Sequence, residues 1–100
     1  MVDTEVLKQR FDRLFTKGGL RTTEVAHILN VHRVTVSRWK HSPINCEDER
    51  MLLRINNLVK LVEMAIISGE LPLDRYDVTG KYARLAALKE ILLRHSRRRN

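Results

Sequence analysis

Leu52, Ile55, Val59, Val62 and Ile66 recur at alternating steps of three and four, and Met51, Leu58 and Ala65 widen the row. Only a helix puts such positions on one face, because its turn holds about 3.6 residues. The pattern predicts one long helix over residues 46–68, opened by Asn45 as N-cap and closed by Gly69. Leu53, Leu61, Met64 and Ile67 fall outside the stripe, so the opposite side is apolar too. A helix this apolar is either central to a core or shared with a second subunit.

The rest of the chain divides at its glycines and prolines. Residues 4–16 carry Val6, Leu7, Phe11, Leu14 and Phe15 at helical spacing, and Lys17-Gly18-Gly19 ends that helix. Thr22 or Thr23 is expected to cap a short helix that stops at Asn30, a residue tolerant of positive φ, with Glu24 favourable in its first turn. Residues 32 to 41 form a further short helix, stopped by Ser42-Pro43. Beyond the turn-rich GELPLDRYDVTG, residues 79–95 make a last helix with Leu85, Leu88, Ile91 and Leu92 in contact positions. Strand-type alternation is nearly absent. The expected fold is all-α: a five-helix domain whose residues 1–43 form one functional part, 44–95 a helical packing part, and 96–100 a basic, disordered tail.

One hundred residues allow one small core, and an apolar fraction of 43% is ordinary for a folded chain. The net charge of +7 is unevenly placed: +4 over residues 1–43, −3 over 44–80 and +6 over 81–100. Basic ends around an acidic middle point to a polyanion partner, although a solvated face with a charged tail gives the same balance. The lone Cys46 has no partner for a disulfide and reads as a small hydrophobe in a reducing compartment. The first residues lack the apolar core of a signal peptide, and LVKLVEMAII is broken by Lys60 and Glu63, so a cytoplasmic protein without a membrane span is expected. His27, His32, His41 and His95 lack metal spacing, and His41 with Cys46 across a proline loop does not make a zinc site. No phosphate-binding glycine loop, catalytic carboxylate pair or Ser/His/Asp set is legible, so no enzyme, cofactor or metal is expected.

Residues 22–41 carry the functional signal. Two short helices crossing at a tight turn need small or apolar residues at fixed contacts. Ala26 supplies the small one, Asn30 the turn, and Val25, Leu29, Val31, Val36 and Trp39 the inner faces. That leaves Arg33, Val34, Ser37 and Arg38 pointing outward. Trp39 is expected to anchor the core rather than stack on a base. The plain alternative for Arg33 and Arg38 is a solvated helix face.

This arrangement resembles the helix-turn-helix of phage repressors, Cro-like proteins and related bacterial regulators over residues 20–43. VHRVTVSRWK is most similar to the second helix of lambdoid CII-type transcriptional activators, and the general layout of the second half extends the likeness. Asn30 stands where that family usually has glycine. The resemblance implies that the helix over residues 32–41 enters the major groove of DNA. It makes Arg33, Val34, Ser37 and Arg38 base-facing, with arginine suited to guanine and Val34 to a thymine methyl. It makes Thr22, Thr23, Thr35, Lys40 and His41 phosphate-facing, the threonines lying at a helix N-terminus. Arg94, Arg97, Arg98 and Arg99 would add phosphate contacts, or serve solubility or degradation. Leu53, Leu61, Met64 and Ile67 would join copies into a dimer or tetramer, unless they are buried within one subunit.

The function so implied is a sequence-specific double-stranded DNA-binding transcriptional regulator of a phage or mobile element. It would act as a homo-oligomer on repeated or palindromic sites in the bacterial cytoplasm, at the nucleoid. Activation is favoured over repression, with RNA polymerase as a further partner. The alternatives are a small terminase-type packaging adaptor that forms a ring, and a protein-binding module that has lost DNA binding.

Overall fold

The computed structural model of the chain describes residues 3–73 and 80–98. Among them lie five helices and no strand: α1 (Thr4–Thr16), α2 (Thr22–Leu29), α3 (Arg33–His41), α4 (Glu49–Ile67) and α5 (Lys81–Arg98). Asp3 opens α1, its carboxylate accepting from the Glu5 and Val6 amides at 3.0 and 3.3 Å. Leu7, Phe11 and Leu14 on α1 are buried, and α1 packs on both α3 and α4. Val6, at the edge of that stripe, stays 49% exposed. The chain turns sharply at Gly18, where an added Cβ would meet the Leu14 carbonyl at 2.6 Å and Val62 at 3.1 Å.

Phe11 is the hub of the core. Phe15 and Trp39 meet its ring edge-on, with centroids 5.3 and 6.2 Å away. Ile55, Leu58, Val59, Val62 and Ala65 bury one side of α4, and Leu88, Ile91 and Leu92 close it from α5. Apart from Ala65, each such side chain contributes about 1.5–3 kcal/mol on leaving water. Leu20, Ile44, Leu71 and Leu73, all from connecting segments, complete the core.

Two expected boundaries move. α4 starts at Glu49 rather than at 46, because the cap is Asp48, whose carboxylate accepts from the Arg50 amide at 3.0 Å, and not Asn45. Residues 43–48 run in non-helical form with Ile44 buried in the core, so Asn45 does not open the helix. At the other end, α5 continues through Ser96 to Arg98, where a disordered tail was expected. No glycine or proline interrupts that run, arginine is a good helix former, and cations are favoured at a helix C-terminus. Residues 74–79 of the connector, including the expected helix start at Thr79, and Arg99 in the tail lie outside the described residues.

A polar knot ties the ends of α4 and α5. His95, 4% exposed, donates from Nε2 to Glu70 Oε1 at 2.7 Å, and Arg94 reaches Glu70 Oε2 at 3.0 Å. Ser68 Oγ lies 2.8 Å from Glu70 Oε1 and 3.1 Å from the Ala65 carbonyl. Serine, histidine and carboxylate thus meet, but not as a nucleophile with its base. Both Ser68 and Glu70 address the same ring nitrogen, which the carboxylate already engages. The Ser68 hydroxyl, then His95 and Arg94, hold the Glu70 carboxyl below its usual range. A carboxyl depressed in the folded state adds stability above its unfolded pKa of about 4.3, and that stability is lost as pH falls through the folded value. Glu70→Gln is therefore expected to flatten the fall in melting temperature on acidification below about pH 5. An unchanged acid limb in thermal melts would show that the knot carries no such linkage. Arg10 depresses Glu63 in the same sense, with N–O distances of 2.6 and 3.0 Å, so some acid sensitivity survives in that variant. Among the described residues no helix is long and apolar enough to cross a membrane.

Candidate nucleic-acid interface

α2 and α3 are set by their ends. Arg21 is the N-cap of α2, and Glu24 reaches back to accept from the Arg21 amide at 2.8 Å. Thr22 and Thr23 therefore occupy the first two helical positions instead of the expected cap. Their amides open the helix, where no intrahelical acceptor exists. Asn30 ends α2 at φ 57°, ψ 48°, the left-handed conformation that asparagine tolerates. The Val31 amide then donates to the Ala26 carbonyl at 2.9 Å, which folds the chain back in a single turn. His32 caps α3, its Nδ1 accepting from the Val34 amide at 3.1 Å.

α3 sits on α2 and α1 with Val36 and Trp39 buried in the core that also holds Val25 and Leu29. The tryptophan is the anchor its spacing suggested. Val31 is only half-buried. With that side inward, Arg33, Val34 and Arg38 are exposed and Ser37 half-exposed. Thr22, Thr23, Arg33, Val34 and Ser37 line one open concavity of about 400 Å³, and none of these lining residues is acidic. Three expected base-facing residues and two expected phosphate-facing ones thus come together from separate helices. Arg38 lies on the same helix but outside that lining, as do Thr35, Lys40 and His41.

Lys40 is half-buried, with its ammonium 3.1 Å from Thr22 Oγ1 and 4.4 Å from the Phe15 ring centroid. The charge is fixed beside the first turn of α2, where the free amides also favour an anion. His41 is exposed at the far end of α3.

Two supports were not visible from the sequence. Lys8 on α1 uses all three ammonium donors: Asp12 Oδ1 at 2.7 Å, the Trp39 carbonyl at 2.7 Å and the Lys40 carbonyl at 2.8 Å. It closes the C-terminus of α3 and fixes that helix to α1. Lys8→Met is expected to lower stability by about 1–2 kcal/mol, since two of the lost bonds go from a charged donor to helix-end carbonyls. Urea unfolding checks this, and a change below about 0.3 kcal/mol would mean that water serves those carbonyls equally well.

The second support is Glu24. Its carboxylate is 6% exposed and meets Arg84 of α5 at 2.9 and 3.3 Å, while Arg84 Nη2 also donates to the Gly19 carbonyl at 3.0 Å. A first-turn acid was expected at Glu24, but nothing local marks a partner in the last helix.

The remaining expected site residues are scattered. Arg94 is paired with Glu70, Arg97 is exposed, and the Arg98 side chain lies outside the described residues together with Arg99. On α4, Leu53 and Ile67 are 55% and 86% exposed, whereas Leu61 and Met64 are half-buried and Leu61 packs against the core. Among the described residues no group of three His, Cys, Asp or Glu could hold a metal ion. Comparison with protein-family models, with curated proteins and with solved structures returned no match.

Proposed function

We propose that this chain is a sequence-specific double-stranded DNA-binding transcriptional regulator of a phage or mobile element, built on a helix-turn-helix. The observation that carries the reading is the concavity shared by Thr22 and Thr23 with Arg33, Val34 and Ser37. It pairs the open amides of a helix start with the outward face of a helix anchored only from behind. In this reading α3 lies in the major groove, with Arg33, Val34, Ser37 and Arg38 toward base edges. Thr22, Thr23 and the fixed ammonium of Lys40 take phosphates on the flank and set the register.

One such unit spans about half a turn of duplex, so specific affinity calls for two units about 34–36 Å apart. Leu53 and Ile67, exposed on the outer side of α4, support self-association. Selection of bound duplexes from a random pool tests the proposal. A recovered repeated or palindromic motif is expected, with half-site spacing that reports the oligomer. Recovery of no motif, with equal binding to all duplexes, defeats it.

A further inference from the structure

An open groove of about 440 Å³ runs between α2, α4 and α5 and shares no residue with the concavity at Arg33. Its apolar surface comes from Ile28, Leu61, Leu92 and Leu93, and Leu93 is 51% exposed although its neighbour Leu92 is buried. Arg54 from α4 and Lys89 from α5 stand beside that surface, both exposed. No lining residue among those described is acidic, and neither cation has an ion-pair partner among the described residues.

We infer that this groove docks an acidic amphipathic helix of a partner protein. An apolar trough between two helices takes side chains presented at i, i+4 and i+7 of an inserted helix. Two unpaired cations at its margin select carboxylates on the flanks of that helix and disfavour basic ones. A nucleic acid would use the charges and leave the leucines wet. The α4 face of a second copy is a poor match, because its exposed Leu53 and Ile67 flank the basic Lys60. The inference does not rest on the DNA reading. One wall of the groove, at Ile28, belongs to the last turn of α2, so an occupant would touch the helix whose first turn faces the other concavity.

The probe is a fluorescein-labelled peptide of roughly 15 residues, with leucines at i, i+4 and i+7 spacing flanked by glutamates. A scrambled peptide and a lysine-for-glutamate peptide accompany it, and anisotropy is read with the full chain. The acidic peptide is expected to bind and the other two not. Arg54→Glu with Lys89→Glu should weaken it at least about tenfold and let the lysine peptide bind instead. Leu93→Asp should abolish binding of the acidic peptide. All three positions are exposed, and circular dichroism of each variant checks that the helices persist. Equal binding of acidic and scrambled peptides, or binding unchanged in the variants, overturns the inference. So does sedimentation in which Leu93→Asp splits an oligomer of the wild-type chain, since a second copy then covers the groove. Operator preference in the Arg54/Lys89 variant should stay at the wild-type level, which keeps failure here distinct from failure of the DNA reading.

Discussion

Replacing Arg33 and Arg38 together with alanine is expected to remove most of the preference for the selected duplex over random DNA while leaving the fold intact. A well-placed arginine on a guanine is worth about 1–3 kcal/mol of discrimination, so each loss costs roughly ten- to a hundred-fold. Both side chains are exposed, and α3 is held through Val36, Trp39 and Lys8 on its other sides. Surface changes of this kind usually move stability by less than about 0.5 kcal/mol. Competition binding against unrelated duplex, with thermal melts of the same variant, separates the two effects. Lys40→Ala is the contrast, because a phosphate contact should weaken all duplexes alike and lower the salt slope by about one. Should the double variant keep full preference, α3 is not the reading element, and the arginines are a solvated face.

Arg84→Met is expected to cost about 3–5 kcal/mol of folding stability, because it leaves the Glu24 carboxylate buried without its counter-charge. Domains of this size have only about 5–15 kcal/mol in total, so unfolding at modest urea concentration should follow. Glu24→Leu combined with Arg84→Met should recover part of the loss, since both charges go at once while the Arg21 amide and the Gly19 carbonyl still lose their partners. That non-additivity in a urea series is the signature of a direct pair. If the single variant loses less than about 1 kcal/mol, water reaches the carboxylate and the pair is not an anchor. The pair also bears on the proposed function, because Glu24 fixes the Arg21 amide at the start of α2. Loosening it should disturb Thr22 and Thr23, and so weaken binding to every duplex before the fold is lost.

The local part of this architecture was open to the sequence. Periodicity put Ile55, Val59 and Val62 on one buried face, and spacing turned Trp39 inward. Asn30 adopts the left-handed turn that its residue type allows. These follow from interactions a few residues apart, which side-chain size and backbone preference dictate directly. Helix ends were less well determined. Asn45 and Asp48 are both good caps in isolation, and the helix opens at the second. At α5 the terminal arginines have no breaker among them, so charge was a poor guide to where the helix would end.

Local residue patterns were enough to show that the chain is helical, where its helices lie to within a few residues, and which side of each faces inward. Tertiary structure decided what those helices hold in place. Lys8 reaches the carbonyls of Trp39 and Lys40, and Arg84 reaches Glu24, across 31, 32 and 60 residues respectively. Such contacts leave no periodic trace, because a buried charge is specified by one partner at one position and not by a repeating pattern. The same holds for the groove at Leu93. Leu93 lies outside the contact positions of the last helix, and only the packing of α2, α4 and α5 makes its half-exposed side chain part of a groove.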